Sequence, residues 1–239
     1  MMDTVLYPEL SPDAGDPGAG LLRIAASAGI TLASVRVTSS PSAPHGPVTV
    51  VVTAERGAVH VVLERDRHEI QARLNMPWLG AALHGRAETL EDVAEAIGDW
   101  ERGDPLTLIA GRRAWLTASP RAVAQEEGRA AEYAWDVERA AAAGQWPLLE
   151  EAYNTPELRR LVPFVTHGRI TFHRAPAPPF SHDLWEIGPA ADGCLRVGGQ
   201  SEPLSEHTVV ATAAEAIALV VQALPPDCGR AVQATGTGG

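Results

Sequence analysis

Apolar and polar positions along the chain switch between two periods, and the switches mark the elements. Leu21, Leu22, Ile24, Ala25 and Ala28 form a helical stripe behind Asp16-Pro17, an N-cap carboxylate with proline at the first helical position. Gly29 closes that helix. The period then drops to two. Val35-Arg36-Val37 and residues 48–53, 58–63 and 68–74 read as strands, the second and third joined by a Glu55-Arg56-Gly57 turn. Helical spacing returns at Thr89-Leu90-Glu91-Asp92, a capping box with Asp in the usual Glu or Gln place, followed by Val93, Ala94, Ile97 and Trp100. Residues 104–118 suggest short strands near 106–109 and 114–117. Ser119-Pro120 then opens a long Ala-rich helix that runs to Gly144, with Gly128 as its weak point.

The second half repeats the order. Leu148, Leu149 and Ala152 make a short helix after Trp146-Pro147, and another helical turn spans 155–161. Residues 169–174, 184–187, 194–197 and 208–211 read as strands. Thr212-Ala213-Ala214-Glu215 is a full capping box, opening an apolar helix that ends at Leu224 before Pro225-Pro226. Laying Thr89 on Thr212 matches Val93 with Ala216 and Ile97 with Val220. The fold expected is α+β: two similar helix–antiparallel sheet–helix units joined by a long Ala-rich helix. The divisions expected are an N-terminal arm (1–15), a first αβ unit (16–118), a bridging helix (119–145), a second αβ unit (146–230) and a disordered tail (231–239).

Composition narrows the function. The chain has 239 residues, 45% of them apolar, and a formal net charge of −11. Its only adjacent basic pairs are Arg112-Arg113 and Arg159-Arg160, so neither nucleic acid nor an anionic membrane is an expected partner. All 19 basic residues are arginine. A chain without lysine offers no Schiff-base amine, no pyridoxal-phosphate aldimine, no phosphate-loop lysine and no lysine base. The first twenty residues lack the cationic start and apolar run of a secretory signal, and the expected location is cytoplasmic. Cys194 and Cys228 are therefore expected as free thiols.

Candidate chemistry is sparse. No nucleophile elbow, dinucleotide fingerprint, zinc helix or Cys-x-x-Cys pair occurs. The densest polar stretch holds His167, His173, His182, Asp183 and Glu186. If His167 begins a strand, His173 lies on the same face. Such residues could act as general acid and base or bind a divalent metal; they could equally be unconnected histidines at strand ends. Cys194, Cys228 and one histidine give a weaker zinc alternative, and His60 with His68 a weaker pair; no cofactor is expected. The six tryptophans read as core residues, except that Trp135 and Trp185 fit their stripes least well and suit a surface groove. Trp185 and His182, beside the Pro-rich loop 175–179, are the expected ligand-binding residues.

One stretch has a familiar look: Trp146-Pro147-Leu148-Leu149-Glu150-Glu151-Ala152-Tyr153, then Leu158-Arg159-Arg160-Leu161-Val162-Pro163-Phe164 and Thr166-His167-Gly168. With Glu215–Val221, Leu224-Pro225-Pro226 and Cys228-Gly229, it resembles an actinobacterial family of natural-product biosynthesis proteins of unknown biochemical activity. The resemblance covers the C-terminal half, and the first half only loosely through Trp100–Gly103. The resemblance supplies a biosynthetic setting; the missing catalytic signatures, the acidic surface and potentially open sheet edges then lead to the expectation of an accessory protein that binds a precursor peptide, of the ribosomally made and modified kind, or a partner biosynthetic enzyme. The alternative is a cyclase or lyase using the His167–Glu186 region. A homodimer is left open.

Overall fold

The computed structural model describes residues 1–39, 46–142, 144, 146–178, 180–229 and 231. The chain forms an α+β fold with two antiparallel sheets, divided into compact units at Met1–Glu126 and Glu127–Gly239. The expected disordered tail lies almost wholly outside the described residues.

In the first unit, a 3-10 helix (Pro8–Asp13) precedes α1 (Pro17–Ser27), whose N-cap Asp16 accepts from the Gly18 and Ala19 amides. Strands β1 (Ser34–Ser39), β2 (Val48–Ala54), β3 (Gly57–Leu63), β4 (Ile70–Met76) and β5 (Gly80–Ala87) follow, each pairing with the next. Then come α2 (Leu90–Glu101), α3 (Leu106–Arg112), β6 (Leu116–Ala118), which pairs with β5, and α4 (Pro120–Glu126). Val50, Val52, Val59, Val61, Leu63, Ile70, Ala72 and Leu74 alternate onto the inner face. They are buried with Val93, Ile97 and Trp100 of α2 and Leu21 and Ile24 of α1.

Two expectations are corrected here, and one strand is added to those expected. The N-terminal arm belongs to the core: Met2, Tyr7 and Leu10 are buried in it. The Tyr7 hydroxyl has the carbonyl oxygens of Glu64, Arg67 and Glu69 within 2.8–3.0 Å and accepts from the Glu69 amide. Residues 106–109 are helical, because buried Leu106 and Ile109 are three apart on one helix face. β5 escaped notice because its residues are small. Gly85 is required there: a Cβ would lie 1.8 Å from the Trp115 carbonyl oxygen.

The bridging helix is also corrected. Gly128 has φ +69°, which ends helical geometry, and two helices stand in its place: α4 above and α5 (Ala130–Ala142).

In the second unit, α5 is followed by α6 (Pro147–Asn154), α7 (Pro156–Arg159), β7 (Val162–Thr166), β8 (Arg169–His173), β9 (Trp185–Pro189), β10 (Leu195–Gly199), β11 (Thr208–Val210) and α8 (Ala213–Gln222). The strands pair in chain order. Both capping boxes form: Thr89 accepts the Asp92 amide at 3.1 Å, and Thr212 that of Glu215 at 3.2 Å. All four helices contribute to one core on one sheet face, where Ile170, Phe172, Ile187 and Val197 meet Trp135, Leu149, Leu158, Ile217 and Val220.

One edge of this sheet is closed. The Val165 amide of β7 reaches the Glu138 carboxylate of α5 at 3.4 Å, and Pro163, two residues before it, has no N–H to offer. Burial pushes the Glu138 carboxyl above its ordinary range, a shift that the Val165 amide opposes.

Candidate functional site

Period-two alternation sends Thr171 and His173 of β8, Glu186 and Gly188 of β9, and Arg196 and Gly198 of β10 to the sheet face away from the helices. Arg169 joins them at the start of β8. Segment 200–207 folds back over this outer face, and a Cβ on Gly198 would lie 2.4 Å from the His207 ring. Gly198 is thus the seat of that imidazole.

The predicted site residues do not form one cluster. His167 lies outside the strands, in the two-residue turn between β7 and β8, where His167 has φ 50° and Gly168 φ 73°. That is a type I′ hairpin turn, so the strand parity expected between His167 and His173 does not hold. His173 is buried near Phe180 (4.8 Å between ring centroids) and Phe164 (6.5 Å). Its Nδ1 lies 3.0 Å from the Ser181 carbonyl and its Nε2 3.2 Å from the Thr171 hydroxyl. Burial pushes its pKa down, Nδ1 donates to the Ser181 carbonyl, and the Thr171 hydroxyl beside Nε2 donates to the Phe164 carbonyl at 3.3 Å.

His182 is exposed, meets the His173 ring edge-on at 6.3 Å and lies 3.3 Å from the Gln200 side-chain oxygen. Asp183 is paired with Arg174. Trp185 turns the other way and packs against the core, as do Trp135, which is fully buried, and Cys228. Cys194 and Cys228 are free thiols, and burial raises the pKa of Cys228. His60 lies on β3, whereas His68 sits before β4 against the Tyr7 ring. Among the described residues, no three His, Cys, Asp or Glu side chains gather as metal ligands would. Trp78, expected in the core, is 72% exposed.

His167 and Glu186 do come together, at a cavity of about 470 Å³ on the outer face. Glu186 is buried, and Arg169 holds it at 3.1 and 3.3 Å through one guanidinium nitrogen. Arg196, opposite Gly188, has no acidic partner among the described residues. Buried His207 has no hydrogen-bond partner for its Nε2. Leu204 and Pro189 supply apolar lining. Residues 122–235 match the model of a family of unknown function (DUF6193). No curated protein and no solved structure matches the chain. The matched stretch takes in every element of the second unit, and so the whole cavity.

Arg169, Arg196, Leu204 and His207 were absent from the sequence-based candidates, because their convergence depends on strand register and on the fold-back of 200–207. A second cavity, about 490 Å³, is lined by residues including Trp135, Tyr153, Arg159 and Arg160. Its cations are engaged: Arg159 lies over Tyr153, and Arg160 bonds the Pro156 carbonyl. In the first unit, Arg36, His60, Arg73 and His84 fall on one cross-strand row. Both arginines are exposed, where water and salt weaken any single contact.

Proposed function

We propose that the protein is an accessory binding protein of bacterial natural-product biosynthesis, holding a precursor peptide or a segment of a partner enzyme on the outer face of its second sheet. One observation carries the binding reading. Among the described residues of the second unit, five large apolar side chains are exposed, and Phe164, Phe180, Leu204 and Val209 of these lie on or over this face, Leu204 lining the cavity itself. Exposed apolar groups beside a polar cleft suit a ligand that alternates apolar and polar groups, as an extended peptide does. The biosynthetic setting rests on the resemblance in the C-terminal half alone.

The test is co-expression with the products of the neighbouring genes, followed by titration of each peptide that co-purifies. Phe164→Asp with Leu204→Asp should leave the melting temperature within a few degrees and weaken binding at least tenfold. Unchanged binding would defeat the reading.

A second reading is an enzyme, favoured by the shared cavity of His167, His207 and buried Glu186. If peptide binds Glu186→Gln unchanged while product formation is lost, that reading replaces the first.

A further inference from the structure

Gly188 lies in register with Arg196 on one side, and a Cβ placed on it would approach the Arg169 side chain at 3.6–3.9 Å on the other. Two arginine residues on neighbouring strands therefore flank a position without a side chain. Strand spacing puts their backbones about 9.6 Å apart, room for one small flat group between them. The two cations differ. Arg169 is committed to Glu186, whereas Arg196 is half-buried with no acidic partner among the described residues. The third element is His207, over nine-tenths buried on Gly198, whose Nε2 has no partner.

We propose that this notch binds a carboxylate carrying an adjacent apolar group, such as the C-terminal residue of a peptide. Arg196 donates to it in the planar, two-pronged manner that suits carboxylates, and His207 donates from Nε2. The charge count favours a monoanion. Arg169 and Glu186 cancel, leaving the single positive charge of Arg196, and a phosphate dianion would meet the Glu186 carboxylate. The adjacent apolar group follows from Leu204 and Pro189 in the lining and Val209 opposite Arg196 in register. The inference rests on the binding reading above and gives it a ligand class.

The experiment is calorimetric or NMR titration of the intact protein with N-acetyl-leucine, N-acetyl-leucinamide, free leucine and inorganic phosphate. N-acetyl-leucine should bind saturably and the amide at least tenfold more weakly. Arg196→Gln should abolish the difference without moving the melting temperature, because no group among the described residues pairs with that guanidinium. Gly198→Ala, which displaces His207, should weaken the acid at least threefold. Equal binding of acid and amide, no binding of the acid, unchanged binding by Arg196→Gln, or tighter binding of phosphate each overturns the proposal. Free leucine binding as tightly as N-acetyl-leucine would overturn the peptide terminus in favour of a free amino acid. Failure here is separable from failure of the binding reading. A peptide that binds equally with a carboxylate or an amidated terminus keeps that reading and sinks this one.

Discussion

Trp135 of α5 donates its indole N–H to the carbonyl oxygen of Leu161 at 3.0 Å, and both residues are buried. The bond ties a helix to the residue that leads into β7, with Phe172 and Tyr153 against the same ring. Trp135→Phe keeps most of the apolar surface but leaves the Leu161 carbonyl without this donor. It should cost about 1–3 kcal/mol in denaturant unfolding. A cost near zero would show that the carbonyl finds water.

Glu138→Gln should be neutral or stabilising near pH 7. The carboxyl is pushed up by burial, and glutamine retains an acceptor for the Val165 amide without a charge to desolvate. Thermal melts at pH 5 and pH 8 should show the larger gain at pH 8, where the wild-type group must be ionised. A loss of stability at both would assign Glu138 a charged role.

His173 sets a pH dependence of the opposite kind. Its folded pKa lies below the ordinary value, so the unfolded chain takes up a proton first as pH falls. Its contribution is fully present above about pH 6.5 and declines as pH drops from there through the lowered folded value. His173→Gln should flatten the stability profile between pH 7 and 5, read by urea midpoints. A profile equally steep in the variant would place the proton elsewhere.

How much of this was readable beforehand depends on how local the cause is. Both capping boxes, the Asp16 cap and most strands came from neighbouring residues, and they stand. The type I′ turn at His167-Gly168 was equally local; an x-Gly pair between Pro163-Phe164-Val165 and Ile170-Thr171-Phe172 signals a hairpin. Counting His167 as a strand residue hides it, because alternation alone does not mark where a strand gives way to a turn. The row Arg169–Gly188–Arg196 and the seat of His207 on Gly198 are different. They exist only once strand register is fixed, and sequence distance between partners hides them.

In the first unit, Tyr7→Phe should cost about 1–3 kcal/mol, because the hydroxyl both donates among three carbonyls and accepts the Glu69 amide. Hydrogen exchange should quicken at Glu69. No change there would reduce Tyr7 to an apolar anchor.

Val220→Asp should cost more than about 3 kcal/mol, since Val220 of α8 is fully buried in the second core and the new carboxylate meets no cation there. Far-UV circular dichroism of the purified variant decides it, and a cooperative melt near the wild-type temperature would refute the packing described.

Closure of β7 by Pro163 and Glu138 has a consequence for crowding and storage. A sheet open at both edges is a monomer for a fibre, because each added strand presents a fresh edge. Here only β11, three residues long, remains at the far side. Two copies meeting there would consume each other's edge, so growth of this second sheet by strand addition ends at a pair.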